Sequence, residues 1–346
     1  MALTLPIALD AMGGDKAPEA VIQGARRILK EFPNTRFLFF GREPVIAPLI
    51  ARNRLLAAAS EIVHADTVIA MDEKPSIALR KGRQSSMRLA LDAVAQKRAC
   101  CMVSAGNTGA LMATAKFVLK TLPGIHRPAI TTSIPARGRR VVLLDMGANI
   151  ECTAENLVQF AIMGDAYARA ALGIASPKIG LLNVGSEDMK GHDEVKDAHQ
   201  ILRGGSIDLE YHGFVEGHDI LDGTTDVVVT DGFTGNIALK VGEGASRLLF
   251  AALKTAFENS WSAKLGYLLA RPALHKAMGP YDPRKNNGAI LLGLNGVAVK
   301  SHGGADAKSF ANAIKVAITL VEQDVNNSII AELREIDAAN TATVEM

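Results

Sequence analysis

Cysteine is scarce in this chain: three residues in 346, at Cys100, Cys101 and Cys152. An odd count with an adjacent pair, which does not readily bridge to itself, excludes a disulfide scaffold and fits a reducing compartment. Aromatic residues are few as well, at 5%, with a single Trp. Neither sign of charge is in surplus, since 38 Lys and Arg stand against 36 Asp and Glu, for a formal net charge of +2. Duplex nucleic acid is bound by a concentrated basic face, so nucleic acid is not an expected partner. Nowhere do about 18 apolar residues run uninterrupted, so no membrane span is expected. The start, Met1 to Asp15, lacks a basic segment, and Pro6 and Asp10 cut its apolar stretch, so no secretory signal is expected. Ser/Gly/Pro linkers and long low-complexity segments are missing. The P-loop lysine motif, the G-x-S-x-G elbow and H-E-x-x-H are missing too, which disfavours P-loop NTP hydrolysis, serine-nucleophile hydrolysis and zinc proteolysis.

What is present is a globular composition, 48% hydrophobic, long enough for one large core or two lobes. Disorder and collagen are excluded. An apolar run, a Gly-rich turn and a helical stretch recur along the chain. Strands are predicted at Ile7–Leu9, Arg36–Phe40, Glu61–His64, Cys100–Ser104, Ala129–Ile134, Val141–Asp145, Lys178–Asn183, Leu209–Phe214, Asp226–Thr230, Ala289–Leu294 and Val297–Lys300. Most are apolar throughout, as strands buried on both faces are. Helices are predicted at Pro18–Lys30, Gln84–Gln96, Gly109–Lys120, Thr153–Leu172, Asp193–Leu202, Gly235–Phe257 and Asp306–Arg334. This alternation predicts an α/β fold with a mostly parallel sheet, as a single domain over residues 1–336 of one body or two lobes. The Ala/Thr-rich tail, 337–346, is expected to fray. Ligands of such sheets bind beyond the carboxyl ends of strands.

The 31 glycines gather in those loops. Ile7-Ala-Leu-Asp-Ala-Met-Gly-Gly-Asp15 ends a strand in Asp10, then Gly13 and Gly14, with Pro18 opening a helix and Asp15 near its cap. It is either a tight turn or a ligand loop, and it lacks the G-x-G-x-x-G of a dinucleotide fingerprint. Val103-Ser-Ala-Gly-Asn-Thr-Gly109 and Val229-Thr-Asp-Gly-Phe-Thr-Gly235 share V-[ST]-x-G-x-T-G, each between a strand and a long helix. Free N–H groups at a helix start suit phosphate or a developing oxyanion, and two such loops argue for a shared anionic ligand. The plainer alternative is that Thr108 and Thr234 cap their own helices. His302, in Val299-Lys-Ser-His-Gly-Gly-Ala-Asp306, has no partner at metal-ligand spacing, so no metal is expected; it is a structural or a site histidine. Asp145, Gly147 and Asn149 end another strand, and Glu187 and Lys190 fall between strand and helix. Lys190 is either a solvated loop residue or a point charge for phosphate.

Taken together these loops resemble the bacterial phosphate acyltransferase (PlsX) family. The resemblance is carried by Ile7-Ala-Leu-Asp-Ala-Met-Gly-Gly-Asp, Ser104-Ala-Gly-Asn-Thr-Gly-Ala-Leu-Met-Ala, Leu144-Asp-Met-Gly-Ala-Asn, Leu182-Asn-Val-Gly-Ser-Glu-Asp-Met-Lys-Gly, Asp226-Val-Val-Val-Thr-Asp-Gly-Phe-Thr-Gly-Asn and Leu291-Leu-Gly-Leu-Asn-Gly, in order from residue 7 to about 335. One departure is Asn287, where the family usually has Gly. The resemblance implies a three-layer α/β/α fold like that of phosphotransacetylases and isocitrate or isopropylmalate dehydrogenases, with two lobes around a cleft, in a homodimer. It implies transfer of a fatty acyl group from acyl carrier protein to inorganic phosphate without a cofactor, the acyl phosphate going on to glycerol-3-phosphate acylation. On this reading Lys190 binds phosphate and Asn236 orients it or donates to the oxyanion. Asp10, Gly13, Gly14, Asn107, Thr108, Asn149, Glu187, Asp231, Thr234, Lys240 and His302 are the candidate phosphate- and substrate-binding residues. The rivals are a phosphotransacetylase-like enzyme acting on coenzyme A thioesters and a non-catalytic phosphometabolite-binding or scaffold protein.

The cancelled total hides one local surplus: Arg247 to Lys276 holds five Lys/Arg and one Glu among apolar residues, including the single Trp. Residues 247–280 are predicted to be a helical segment at a dimer seam or a membrane. For Leu248 to Phe257 the alternative is packing in the core or the seam. For Trp261, Leu265, Leu268 and Leu269 the family resemblance favours a hydrophobic tip on the cytoplasmic membrane, making the protein cytoplasmic and peripherally membrane-associated.

Overall fold

β1 (Ile7–Asp10) shows how the molecule is layered: Ile7 and Leu9 face one buried cluster, Ala8 the other, and all four residues are buried. The same two-sided burial recurs in β2 (Phe37–Gly41), β4 (Cys101–Ser104), β9 (Val227–Val229) and β11 (Val297–Lys300). With β3 (Ser60–His64), β5 (Ala129–Ala136), β6 (Arg139–Leu144), β7 (Lys178–Leu182), β8 (Glu210–Val215) and β10 (Ala289–Leu292) they make a single 11-stranded sheet among the described residues. The computed structural model describes residues 3–205 and 207–344, except the side chains of 283 and 335–344.

Helices cover both faces, so the fold is the expected three-layer α/β/α sandwich. One face carries α1 (Glu19–Glu31), α2 (Glu43–Ala51), α3 (Arg54–Ala58), α7 (Ala154–Leu172), α8 (Asp193–Arg203), α12 (Ala307–Glu322) and α13 (Val325–Val344). The other carries α4 (Pro75–Lys81), α5 (Ser86–Ala95), α6 (Thr108–Leu119), α9 (Asp219–Asp222) and the early part of α10 (Gly232–Glu258). α11 (Trp261–Met278) buries nothing, and α10 buries only Gly232 and Gly235.

The strand order is β3-β2-β1-β4-β11-β10-β5-β6-β9-β7-β8. β10 is antiparallel to both β11 and β5, and β5 is antiparallel to β6; the other neighbours are parallel. The β6–β9–β7–β8 half therefore runs opposite to β1, β4 and β11. Carboxyl ends in the two halves open at opposite edges, and the Gly-rich loops form two sets rather than one.

All eleven predicted strands are present, with shifts of a residue or two at their ends. Four helices were not predicted. α2 holds Pro44 and Pro48, and α3, α4 and α9 span five, seven and four residues, too short to display a helical period. The predicted helix 306–334 is two helices, broken at Asp324, whose φ is +50°. The tail predicted to fray continues α13 to Val344; its side chains and residues 345–346 lie outside the described residues.

Candidate functional site

The first loop set lies beyond β1, β4 and β11. Asp10 is fully buried at the end of β1, where its carboxylate accepts from Ser86 Oγ (2.6 Å), Ser104 Oγ (2.6 Å) and Met12 N–H (3.3 Å). Burial pushes its pKa up, and the two serine hydroxyls act against that. A Cβ on Gly13 would stand 2.4 Å from Asp10 Oδ2 and 2.8 Å from Gly106 N, so only glycine fits. Gly14 has φ +101°, and Asp15 N–H donates to Gly303 O at 2.9 Å. The three loops thus lock backbone to backbone. Asp15 does not cap α1, which starts after Pro18.

Lys300, the last residue of β11, lies inside this lock. It pairs in register with Ser104 and is 9% exposed. Its ammonium donates to Ser301 O and, at 3.5 Å, to Ala105 O. Ammonium has three donors, so one remains for a ligand. Burial brings its pKa down to about 8; Asp10 and Asp15 pull it up and Lys240 pushes it further down. Sequence reasoning passed over this residue. Its signal was a lysine closing the otherwise apolar Val297-Ala-Val. Asn287, the departure from the family pattern, holds the following loop, donating to Ser301 Oγ (2.8 Å) and Ser309 O (2.7 Å) and accepting from His302 N–H (2.9 Å).

Two candidates of this set are engaged structurally. Asn107 caps α6 by accepting from Ala110 N–H (3.0 Å), and its amide donates to Met71 O and Glu73 O, each at 2.9 Å. The cap is therefore Asn107 and not Thr108, which is exposed. His302 is exposed, and its Nδ1 accepts from Gly304 N–H at 3.1 Å.

The second set lies beyond β6 and β9. Asp145 is fully buried and accepts five hydrogen bonds: from the N–H groups of Ile130, Gly147, Ala148 and Asn149 and from the Asn149 side chain, at 2.7–3.2 Å. Asn149 also donates to Pro128 O at 2.8 Å, so its amide is used. Asp231 caps α10, accepting from Thr234 N–H and Thr234 Oγ, each at 2.8 Å; again the threonine is not the cap. The shared V-[ST]-x-G-x-T-G thus does not give equivalent helix starts: α10 begins two positions earlier in the motif than α6.

Asn236 differs from Asn107 and Asn149. It is exposed beside Gly147, whose Cβ, if present, would stand 3.5 Å from Asn236 Cβ, and no hydrogen bond is recorded for its amide among the described residues. One turn on, Lys240 pairs with Glu243 at 3.1 Å and lies near enough to Lys300 to lower its pKa. The start of α10 therefore reaches from the second loop set toward the first. Glu187 and Lys190 form a separate exposed pair at 2.8 Å beyond β7, with Lys190 O held by the Asn183 amide (3.0 Å); the pairing raises the lysine pKa.

The predicted membrane-facing residues sit on a projecting hairpin of α10 and α11, closed by Phe257 against Tyr267 with ring centroids 5.2 Å apart. Trp261 is 89% exposed, and Leu265, Leu268 and Leu269 are exposed. Leu248 and Leu249 are exposed too, so packing of this stretch in the chain's own core does not occur. No helix among the described residues is long and apolar enough to cross a membrane, and no group of three or more His, Cys, Asp or Glu is placed to hold a metal.

A family described as "Fatty acid synthesis protein" matches residues 5–328. A phosphate acyltransferase of Rhodospirillum centenum is 56% identical over 333 residues, 96% of this chain and 94% of its own. One of Paramagnetospirillum magneticum is 51% identical over 346 residues, 100% of this chain and 99% of its own. Among solved structures, a phosphotransacetylase from Streptococcus pyogenes superposes with TM-score 0.64 at 19% identity, over 93% of this chain and 95% of that one. A phosphotransacetylase from Staphylococcus aureus does so with TM-score 0.59 at 17% identity, over 92% and 94%. At such identities the likeness is one of fold.

Proposed function

This chain belongs to the phosphate acyltransferase family, and from that premise we propose that it moves a fatty acyl group from the thioester of acyl carrier protein to inorganic phosphate. The acyl phosphate would serve a downstream glycerol-3-phosphate acyltransferase in phospholipid synthesis. The observation that carries the reading is Lys300, a lysine buried among Gly-rich loops with a donor to spare and Lys240 nearby.

The chemistry asks little of a protein nucleophile. A phosphate oxygen attacks the thioester carbonyl, the C–O bond forms, the C–S bond breaks, and the thiol of the carrier arm leaves with a proton. Phosphate dianion is already nucleophilic, so the protein must align it and neutralise charge on the tetrahedral oxyanion. Lys300 and Lys240 supply fixed positive charge, and the free Asn236 amide supplies a neutral donor on the same stretch of α10. Lys190 is held only by an exposed carboxylate, which phosphate can replace with little loss, because exposed ion pairs contribute little. Asn236→Ala and Lys190→Ala should both fold like the parent and lose acyl-phosphate formation, Lys190→Ala chiefly through a raised KM for phosphate. Turnover close to the parent in either variant removes that residue from the mechanism.

The reading includes a homodimer in the cytoplasm that touches the membrane peripherally through Trp261, Leu265, Leu268 and Leu269. Its support is the exposed apolar tip flanked by Lys264 and Arg271. Introducing Leu268→Glu with Leu269→Glu should abolish flotation with anionic vesicles; unchanged flotation contradicts the membrane contact.

A further inference from the structure

We propose that α4 and the residues flanking it form the landing surface for an acidic carrier protein, a proposal that rests on the acyl-carrier reading above. Residues 72–83 hold four cations, Lys74, Arg80, Lys81 and Arg83, against two acids, Asp72 and Glu73. All four cations are exposed, and none has a salt bridge recorded among the described residues. Elsewhere on the surface the structure pairs many cations with acids, as in Lys315–Glu31 and Arg139–Asp226.

The surface is fastened to the rim of the site. The amide of Asn107 grips Met71 O and Glu73 O, and Pro75 lies 3.0 Å from where a Cβ of Gly109 would be. Met71 Cε lies 2.8 Å from the corresponding position on Gly303, three residues past Lys300. Arg83 is three residues before Ser86, whose hydroxyl bonds to Asp10. The cations thus border the loops that enclose Lys300, where a thioester arm must be delivered. Exposed Met71 and Phe117 add apolar contact beside them, with the Arg88 guanidinium 5.3 Å over the Phe117 ring. A lipid surface finds its apolar anchors on the α10–α11 hairpin instead, whereas a folded acidic partner needs a compact cationic patch beside the entrance. Rim charges of this kind act mainly through association rate and its salt dependence.

The test is the triple variant Arg80→Glu, Lys81→Glu, Arg83→Glu, assayed on acyl carrier protein thioester and on a short acyl pantetheine. The proposal expects the KM for the carrier substrate at low salt to rise at least about tenfold, with kcat and pantetheine turnover unchanged. It also expects the parent's salt dependence to flatten in the variant, and the corresponding Gln triple to shift the same way by less. An unchanged carrier KM with an active parent overturns the surface and leaves the acyl-transfer reading standing. A parent inert toward carrier thioester overturns both. Equal losses on the two substrates, or lost binding to anionic vesicles with carrier KM intact, also overturn it, the latter assigning the patch to lipid.

Discussion

Lys300→Met should lower kcat for acyl-phosphate formation by about 100- to 1,000-fold, the usual loss when one preorganised donor to a developing oxyanion is removed. Methionine follows the lysine stem in volume, so the loops around Asp10, Ala105 and Gly303 keep their packing. Removing a buried charge from water-poor surroundings should leave the melting temperature equal or higher. Loss of activity without loss of fold separates a chemical role from a structural one. The parent enzyme should show the same residue in its pH profile. Burial has brought Lys300 to about 8, so activity that needs the ammonium falls as pH rises past that value, well below where an ordinary lysine titrates. Between about 8 and the ordinary lysine value the unfolded chain holds more protons than the native one, so this residue's contribution to stability rises with pH there. Lys300→Met should lack that rise, and an alkaline limb that survives in it unchanged assigns the titration elsewhere.

Asp145→Ala should give the largest stability loss of any single change at the second loop set. Its carboxylate receives four backbone N–H groups and one side-chain amide, and alanine leaves all five without that acceptor, three of them, Ile130 N–H and the two Asn149 donors, in buried places. Each stranded donor costs about 1–3 kcal/mol when no water reaches it. Partial relaxation still leaves several kcal/mol, on the order of a 10 °C drop in melting temperature for a chain of this size. The loss should extend to activity, because Asn236 rests beside Gly147 and Asp145 O faces Gly235 so closely that a Cβ there would meet it at 1.9 Å. A melting temperature within about 2 °C of the parent contradicts this account of the loop.

The strands were legible because two-sided burial leaves an unmistakable mark: Val227-Val-Val and Cys101-Met-Val-Ser have no polar face to confuse with a helix. Strand direction was not legible. That β10 runs against both its neighbours depends on long-range pairing of Leu292 with Ala129 and Ala289 with Lys300, and it is the antiparallel pairing of β5 with β6 that then turns one half of the sheet over. The division of the Gly-rich loops into two sets joined by α10 was therefore not legible either. The glycines marked the loops correctly, but not which polar side chains were free. Asn107, Asn149 and Asn236 look alike in sequence; only their partners distinguish two structural clips from an amide left for a ligand. Lys300 was hidden for a related reason, since a lysine at a strand end is ordinarily solvated and its burial requires the loops at Gly14, Ala105 and Gly303 to close around it.

The most direct measurement is to incubate the purified protein with a long-chain acyl carrier protein thioester and inorganic phosphate, following phosphorus by NMR and free carrier thiol together. The account predicts acyl phosphate and free carrier in equal amounts, with no product when phosphate is left out. Thiol release without acyl phosphate, or turnover confined to acyl coenzyme A, would contradict it.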